Sequence, residues 1–516
     1  MSLHSGTVLA VVLLFLLSGG ARLDTDAERR GEASSGPMLL ETAASIALLD
    51  SARLDLSAYR MTEAERRLRR LERLADGPPA ARYHLALAAL HRALMSDEDE
   101  HFEDFHARAD SLEEALNRAE PSAWRDFMRA DRDLWRAVVF LKRGRFLRAA
   151  WSGRSAYRTY ARVIASYPRF YDAHRGLGLL HLAIGSMPRS YRFLLDVLGF
   201  DGGIARGLGE LETAYRNAVY ASEEAGVMLA LTRQMLHLDE RKGLSIASDL
   251  MVRHPESPLY GHLYGFVLMA NRQAAAAVAT LREAVRRSES SAYFYDHYLD
   301  FYLAEALFRT NAVAEAEHYY RRYLQRHDGP ALKAMAYLGL GKSLELQGRR
   351  AEAVEMLEEV RSARDFDTDE AAKREAERLL AAPISPRDHT LLLAANAFDS
   401  DRLDDAVRLL AALTAEGGLT IDQAAEAAYR LGRAHLASRR PGEALAAFER
   451  AESLHGDPLS RWAPWSAFYT GKLHLQEERH QEAREAFRRA LAYGGAYDYY
   501  QALEQGTRAA LEFLPK

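Results

Sequence analysis

The feature that most constrains this fold is a pair of helix-like segments that recurs along the chain at a nearly constant interval. A small residue in the first segment is followed twelve positions later by alanine in the second. The clearest examples are Gly265 and Ala277, Gly341 and Ala353, Gly432 and Ala444, and Gly471 and Ala483. Small residues let two helices approach closely, and neighbouring pairs are offset by 37 to 39 residues. This spacing predicts stacked helical hairpins.

The stretch from Ala425 to Ala451 carries the pattern most completely. Its characteristic positions are Leu431, Gly432, His435, Ala444, Phe448 and Ala451. This order of leucine–glycine, then alanine, phenylalanine and alanine resembles the tetratricopeptide repeat. The resemblance implies an all-α, right-handed superhelical solenoid of about 8–11 helix pairs, and a role in binding other proteins. We also expect Gly432 and Gly471 to contact the backbone of the neighbouring helix.

Composition agrees with a helical solenoid and narrows the possible chemistry. The chain has 516 residues, and no long stretch alternates between apolar and polar residues as a half-buried strand would. It contains no cysteine, which excludes thiol catalysis, disulfides and thiolate metal sites. The net charge of −5 gives no expectation of a nucleic-acid partner.

The amino-terminal residues predict export. An apolar run, TVLAVVLLFLL, ends at Leu17 and is followed by the small residues Gly19 and Ala21. The run is too short to span a bilayer, so we interpret residues 1–21 as a cleaved signal peptide and 22–36 as a disordered spacer. An uncleaved anchor and a misassigned start codon are the alternatives. We expect a periplasmic or secreted protein with possible envelope association and no transmembrane segment in the mature chain.

The rest of the chain divides by the regularity of the repeats. Residues 37–257 are predicted to form a degenerate solenoid with an insert near 186–203, whose apolar stripe, Leu194, Leu195, Leu198 and Phe200, should fold back or dock. Regular repeats follow at 258–360, an elbow helix at 361–386, and further repeats with a capping helix at 387–516. The block around the insert resembles uncharacterised exported bacterial repeat proteins and, distantly, the tetratricopeptide repeat protein 39 family. That resemblance implies fold and no activity.

Three stretches resemble ligand-binding motifs, but each differs from its motif or has a simpler structural explanation. The phosphate-loop-like run Gly339 to Ser343 lacks the required first glycine, because position 336 is alanine. Asp365, Asp367 and Asp369 imitate a calcium loop, but Glu370 stands where glycine is needed. The acidic run from Ser96 to His106 is better explained as the start of a helix. We therefore expect no enzyme activity, no metal and no cofactor.

The remaining candidate is a groove lined by the first helix of each repeat. Aromatic and cationic residues recur at positions that should face inward: Tyr298, Phe301, Lys342, Tyr429, Arg433, Trp465, Phe468 and Lys472. They would suit a protein or peptide segment with acidic and apolar residues. The chaperone-tail clamp of this repeat class needs asparagine after the glycine, and this chain has lysine or arginine there. The alternative is a carbohydrate-binding or enzymatic helical solenoid, since 25 tyrosines could line a sugar groove.

Overall fold

The architecture comes from a computed structural model of the chain. It describes residues 39–96, 98–187, 199–289, 296–327, 329–361, 367–454, 457, 459–495 and 497–515. The expected signal peptide, the spacer, Asp365 and most of the insert, with Leu194, Leu195 and Leu198, lie outside these residues. Within them every regular element is a helix, and none of these helices is long and apolar enough to cross a membrane.

Eleven helical hairpins and two single helices make up the described chain. The first half contains α1 (Ala43–Ser57), α2 (Met61–Leu71), α3 (Pro78–Ser96), α4 (Asp99–Arg118), α5 (Ala123–Lys142), α6 (Phe146–Ser166), α7 (Ala173–Gly185), α8 (Ile204–Asn217), α9 (Ser222–Met235), α10 (Glu240–Arg253), α11 (Pro258–Ala270) and α12 (Ala274–Ser288). The second half contains α13 (Asp296–Arg309), α14 (Val313–Arg326), α15 (Lys333–Leu346), α16 (Arg350–Arg361), α17 (Asp367–Ala381), α18 (Pro386–Asp399), α19 (Leu403–Glu416), α20 (Ile421–Ala437), α21 (Pro441–Ser453), α22 (Trp462–Gln476), α23 (His480–Ala492) and α24 (Tyr500–Phe513). The single helices are α17 and α24. The predicted all-α solenoid of helix pairs is confirmed.

The recurring glycine makes room for a large side chain of the partner helix. A Cβ atom on Gly432 would lie 2.4 Å from the Phe448 ring, and one on Gly471 would lie 2.6 Å from the Phe487 ring. Both phenylalanines are fully buried. Each glycine thus faces an aromatic ring of the second helix, and its contact with that helix's backbone remains a prediction.

The turns inside the six regular hairpins from α11 onward recur at a similar interval, except across α17. A residue with positive φ closes the turn at 272, 311, 348, 401, 439 and 478. Only position 348 is glycine, and the others are occupied by Arg, Asn, Asp, Arg and Glu. Positions 348 and 401 lie 53 residues apart because α17 is inserted between two regular hairpins. This is the segment predicted to be an elbow, and the division into domains remains a prediction.

Helix starts near the carboxyl-terminal repeats are fixed by side-chain caps. Ser385 and Asp388 form a capping box at the start of α18, and Thr420 and Gln423 form another at the start of α20. Gln423 Nε2 also donates a hydrogen bond of 2.8 Å to Asp388 Oδ1, which joins the two starts. Satisfied amides hold these two helices in register at one edge of the solenoid.

The solenoid turns far enough to contact itself. Ser257 Oγ donates to the Ser57 carbonyl over 2.5 Å, and the Tyr298 hydroxyl donates to the Met95 carbonyl over 3.1 Å. At the other end, the carboxylate of Glu512 accepts hydrogen bonds from the backbone amides of Ile204 and Ala205. These contacts join residues 200, 203 and about 308 positions apart in sequence. The repeats therefore pack against each other across the superhelix as well as along it.

Candidate functional site

A cavity lies where the carboxyl-terminal repeats meet α15 and α17. Its volume is about 550 Å³. Helices α15, α17, α18 and α20 contribute walls, and residues just before α22 and α24 close it. The charged and aromatic residues that line it are Lys342, Arg374, Glu375, Arg378, Asp388, Asp422, Glu426, Arg430, Asp457, Arg461, Trp462, Asp498 and Tyr499. Such a cavity is large enough for a few side chains of a partner.

Arg461 stands out among the cations of this cavity. Its guanidinium carbon lies 4.8 Å from the ring centre of Trp462 and 4.8 Å from that of Tyr499. Stacking on two aromatic faces holds the guanidinium in place. Within the described part of the chain, no carboxylate lies within ion-pair distance of Arg461. Burial lowers the pKa of its guanidinium, but the nearby Tyr499, Tyr429, Glu426 and Glu375 together outweigh burial and raise it. Its N–H groups are therefore available to a carboxylate brought by a ligand.

The neighbouring cations are committed to carboxylates of the cavity wall. Lys342 Nζ lies 2.7 Å from Glu375 Oε1, and Arg374 Nε donates to Asp498 Oδ1 over 2.6 Å. Burial opposes ionisation of Glu375, but Lys342, with Arg378 and Arg461, outweighs burial and lowers the pKa of the carboxyl. Asp388 is similarly held by Gln423 and Ser385. These pairs fix the walls, and among the described cations that line the cavity Arg461 is the one without a carboxylate within ion-pair distance.

Asp422 gives the cavity a second polar group. It lies in the first turn of α20, and its Oδ1 atom is buried without a hydrogen-bond partner. Burial raises the pKa of this carboxyl, while hydrogen bonds from Ser460 and Trp462 oppose the rise. A ligand with a donor, such as a main-chain amide, would satisfy Oδ1.

Tyr429 and Arg433, both expected in the groove, lie together on α20. Arg433 donates a 3.1 Å hydrogen bond to the Tyr429 hydroxyl, and its guanidinium lies over the rings of Tyr469 at 4.3 Å and Phe398 at 4.8 Å. Both residues border a second, much smaller cavity beside Phe398. Arg433 therefore connects α20 to α18 and α22 by cation–π contacts.

The α22 residues of the predicted groove are covered by another part of the chain. We call residues 236–240, between α9 and α10, the covering turn. The His237 ring lies 5.4 Å from that of Trp465 and 5.8 Å from that of Phe468. Lys472 Nζ donates to the His237 carbonyl over 3.0 Å and lies 3.5 Å from Glu240 Oε1. Trp465 and Phe468 are consequently buried.

The remaining predicted residues lie elsewhere. Tyr298 and Phe301, on α13, are buried in the amino-terminal core, and the Tyr298 hydroxyl contacts the Met95 carbonyl. Lys342 reaches the large cavity, paired with Glu375. The structure thus brings Tyr429, Arg433, Trp465, Phe468 and Lys472 together around Tyr469, and leaves the other three apart. Partner binding by the eight residues remains a prediction.

Sequence reasoning missed Arg461, Trp462 and Tyr499. All three lie at helix starts or just before them, outside the positions that the repeat pattern defines. An arginine beside a tryptophan, and tyrosines at 497, 499 and 500, were the available signals.

A buried charged cluster lies in the amino-terminal half, away from the cavity. Arg175 pairs with Asp131 and, at 3.1 Å, with Glu224, while Tyr83 and Tyr160 donate to Asp131. Asp131 and Arg175 are fully buried. The members of the cluster come from α3, α5, α6, α7 and α9, so the cluster ties successive hairpins together. Across the described residues, no group of three or more His, Asp or Glu side chains could hold a metal ion.

Comparison with known proteins agrees with the helical architecture. A family model described as a tetratricopeptide repeat matches residues 267–330, 303–369 and 391–458. Among curated proteins none matches the chain.

Two solved structures are similar to this chain at low sequence identity. The APC/C hetero-tetramer Cut9–Hcn1 is 15% identical and has a TM-score of 0.26, with 89% of this chain and 96% of that chain covered. The human IFIT1 dimer with m7Gppp-AAAA is 12% identical and has a TM-score of 0.36, with 87% and 100% covered. Likenesses this distant say nothing about what this chain binds. The family model shows that the chain contains tetratricopeptide repeats within residues 267–369 and 391–458.

Proposed function

We propose that the protein is a non-enzymatic scaffold that binds a segment of another protein in the cavity around Arg461. Tetratricopeptide repeats favour a role in protein interaction. The observation that carries the site is Arg461, stacked between Trp462 and Tyr499 with no carboxylate partner in the described chain. A cation held in this way in a concave wall is suited to receive an anionic group.

The chemistry of the walls defines the segment. A carboxylate of the partner would accept hydrogen bonds from Arg461. An apolar side chain would pack beside Leu391, Leu392 and Leu459, which also line the cavity. A main-chain amide near Asp422 would satisfy its unpaired Oδ1. An extended segment with an acidic residue next to an apolar one matches all three contacts.

A partner segment that bound over Trp465 and Phe468, as the sequence predicts, would meet an obstacle there. Because the covering turn occupies that surface, a partner would have to displace His237 and the Lys472 hydrogen bond. The cavity around Arg461 needs no such rearrangement. We therefore favour the cavity as the site of first contact.

The proposed place of action is the bacterial cell envelope, after export. The support is the apolar run that ends at Leu17 and the small residues Gly19 and Ala21. Mass spectrometry of the mature protein should find an amino terminus near Arg22. Recovery of a cytosolic form that retains Met1 would contradict export.

Binding is tested by capturing partners with the full chain from a membrane fraction of the native host, then measuring the affinity of the identified partner. Arg461→Gln should weaken binding about 10- to 100-fold, the usual value of a hydrogen bond to a charged group. Arg402→Gln is the matched control, because Arg402 is an exposed arginine outside the cavity.

Equal affinity of wild type and Arg461→Gln, with unchanged helicity, would rule out this cavity. Quenching of tryptophan fluorescence by glycans, with no protein captured, would support the alternative of a carbohydrate-binding solenoid.

A further inference from the structure

One stretch of this acidic protein carries only positive charge. Between Asp133 and Asp172 there is no Asp or Glu, although the chain as a whole has a net charge of −5. The same stretch contains nine basic residues: Arg136, Lys142, Arg143, Arg145, Arg148, Arg154, Arg158, Arg162 and Arg169. It spans the last nine residues of α5, the turn, and all of α6. Positive charge is therefore concentrated on one hairpin.

The same hairpin exposes large apolar side chains. Phe146 is 48%, Leu147 79% and Trp151 65% exposed. The five other exposed large apolar residues of the described chain, Val252, Ile421, Leu459, Tyr493 and Phe513, are spread along the sequence. Three such residues within six positions form a patch, and exposed patches of this kind mark interaction surfaces.

Geometry places these residues at the end of the hairpin. Gly144, with φ +69°, closes the turn, and α6 begins at Phe146. We call residues 142–151 the hairpin tip. Leu147 and Trp151 are four residues apart and share one side of α6, and Arg154 and Arg158 continue that side one and two turns further from the tip. On this side of α6 the apolar side chains therefore lie nearest the tip, and Arg154 and Arg158 lie further from it.

Most of the cations near the tip are not committed to carboxylates. Arg136 and Arg143 pair with Asp110 and Asp99 of α4, at 3.1 and 2.5 Å. Among the described residues, no carboxylate lies within ion-pair distance of Arg145, Arg154 or Arg158. Arg148 lies over the Phe140 ring at 5.9 Å. No carboxylate at ion-pair distance offsets the charge of these arginines, so they can attract an external anion.

We propose that the hairpin tip inserts into the headgroup layer of an anionic phospholipid bilayer. Trp151, Leu147 and Phe146 would enter the interface between headgroups and acyl chains, where tryptophan is favoured. Arg145, Arg148, Arg154 and Arg158 would contact lipid phosphates around them. The aliphatic Leu147 favours lipid over nucleic acid, because a leucine offers no flat surface for a base to stack on.

The test uses the full chain and vesicles of phosphatidylglycerol mixed with phosphatidylcholine, against vesicles of phosphatidylcholine alone. The protein should sediment with the anionic vesicles, and added NaCl should weaken the association. Trp135, Trp462 and Trp465 are buried and Trp124 is half-buried, whereas Trp151 is exposed. Trp151 emission should therefore shift to shorter wavelength with anionic vesicles, and Trp151→Phe should remove most of that shift.

Two pairs of variants separate insertion from simple charge attraction. Leu147→Ser with Trp151→Ser, and separately Arg145→Gln with Arg148→Gln, should each weaken partitioning roughly tenfold or more. Val252→Ser with Ile421→Ser is the apolar control, since both side chains are exposed elsewhere. Arg216→Gln with Arg286→Gln is the charge control, since both arginines are exposed on other helices. Both controls should bind as wild type does.

The proposal is overturned by absence of binding to anionic vesicles, or by binding that survives Leu147→Ser with Trp151→Ser. It is also overturned if a single-stranded RNA homopolymer competes the protein off the vesicles while the apolar variant binds that RNA normally. That result would show that the arginines of the hairpin bind nucleic acid and not lipid phosphates.

Discussion

Lys472 donates a hydrogen bond to the backbone carbonyl of His237, 3.0 Å away, across a separation of 235 residues in sequence. The same ammonium lies 3.5 Å from Glu240, and the His237 ring packs on Trp465. The covering turn also lies against α24, because a Cβ atom added to Gly506 would lie 3.2 Å from the Leu236 carbonyl oxygen. The inner face of the last repeats is therefore filled by the protein's own covering turn.

Replacing Lys472 by methionine should loosen this closure. Methionine keeps an apolar stem but cannot donate to His237 or neutralise Glu240, so we expect a loss of about 1–3 kcal/mol in the free energy of unfolding. Urea denaturation measures it, and acrylamide should quench Trp465 more strongly. Arg216→Met, which removes an exposed ion pair with Glu212, should cost less than about 1 kcal/mol. Equal losses in the two variants would show that Lys472 does not fasten the covering turn.

The local sequence pattern was sufficient to predict the hairpins. It was not sufficient to predict the contact between the covering turn and the last repeats. Gly432 and Phe448 are sixteen residues apart and belong to one hairpin, so their packing follows from a short stretch of chain. The contact between Lys472 and His237 depends on the small rotations of all the repeats between them. No local spacing in the sequence determines the sum of these rotations. The sequence therefore could not show which segment would cover Trp465.

The candidate cavity was missed for a related reason. Arg461 and Tyr499 lie just outside helices, at positions that repeat statistics do not constrain. They meet because α24 packs back against the last hairpins. The inward positions of the repeat, in contrast, led to Lys342, which does line this cavity.

Gly471→Ala should destabilise the protein because the new methyl group would lie 2.6 Å from the buried Phe487 ring. We expect a cost of about 1–3 kcal/mol from overpacking, measured by thermal or urea unfolding. Phe487→Leu should recover part of that loss in the double variant. Gly209→Ala is the control: no atom outside its own helix lies within 4 Å of the new Cβ, and a gain of about 0.5–1 kcal/mol is expected. An unchanged Gly471→Ala would contradict the packing described for the repeats.

Gly348→Ala tests backbone strain in the absence of crowding. Gly348 has φ +75°, and no neighbouring atom would lie within 4 Å of the added methyl group, so any loss comes from the left-handed conformation. The expected cost is about 1 kcal/mol in unfolding free energy. Gly442→Ala, at an equally open position inside α21, should instead be neutral or stabilising. The same sign of change in both variants would argue against strain at this turn.

Glu224 should make the stability of the protein depend on pH. Burial raises the pKa of this carboxyl from 4.5 to about 7, with Asp131 adding to the rise and Arg175 opposing it. A raised pKa means that the folded state binds the proton more tightly than the unfolded state does. The ionised form is therefore penalised on folding. The penalty is absent below pH 4.5, grows as pH rises toward 7, and is complete above 7.

Glu224→Gln removes this titration while keeping a polar side chain beside Arg175. All other ionisable groups are common to both proteins, so the difference between their unfolding free energies isolates Glu224. Relative to wild type, the variant should gain on the order of 2 kcal/mol between pH 5 and pH 8. The absolute stability of the variant can be lower at every pH, since Arg175 loses a charged partner. Guanidinium unfolding at the two pH values measures the difference, and a constant offset would show that Glu224 is already ionised at pH 5 in the folded protein.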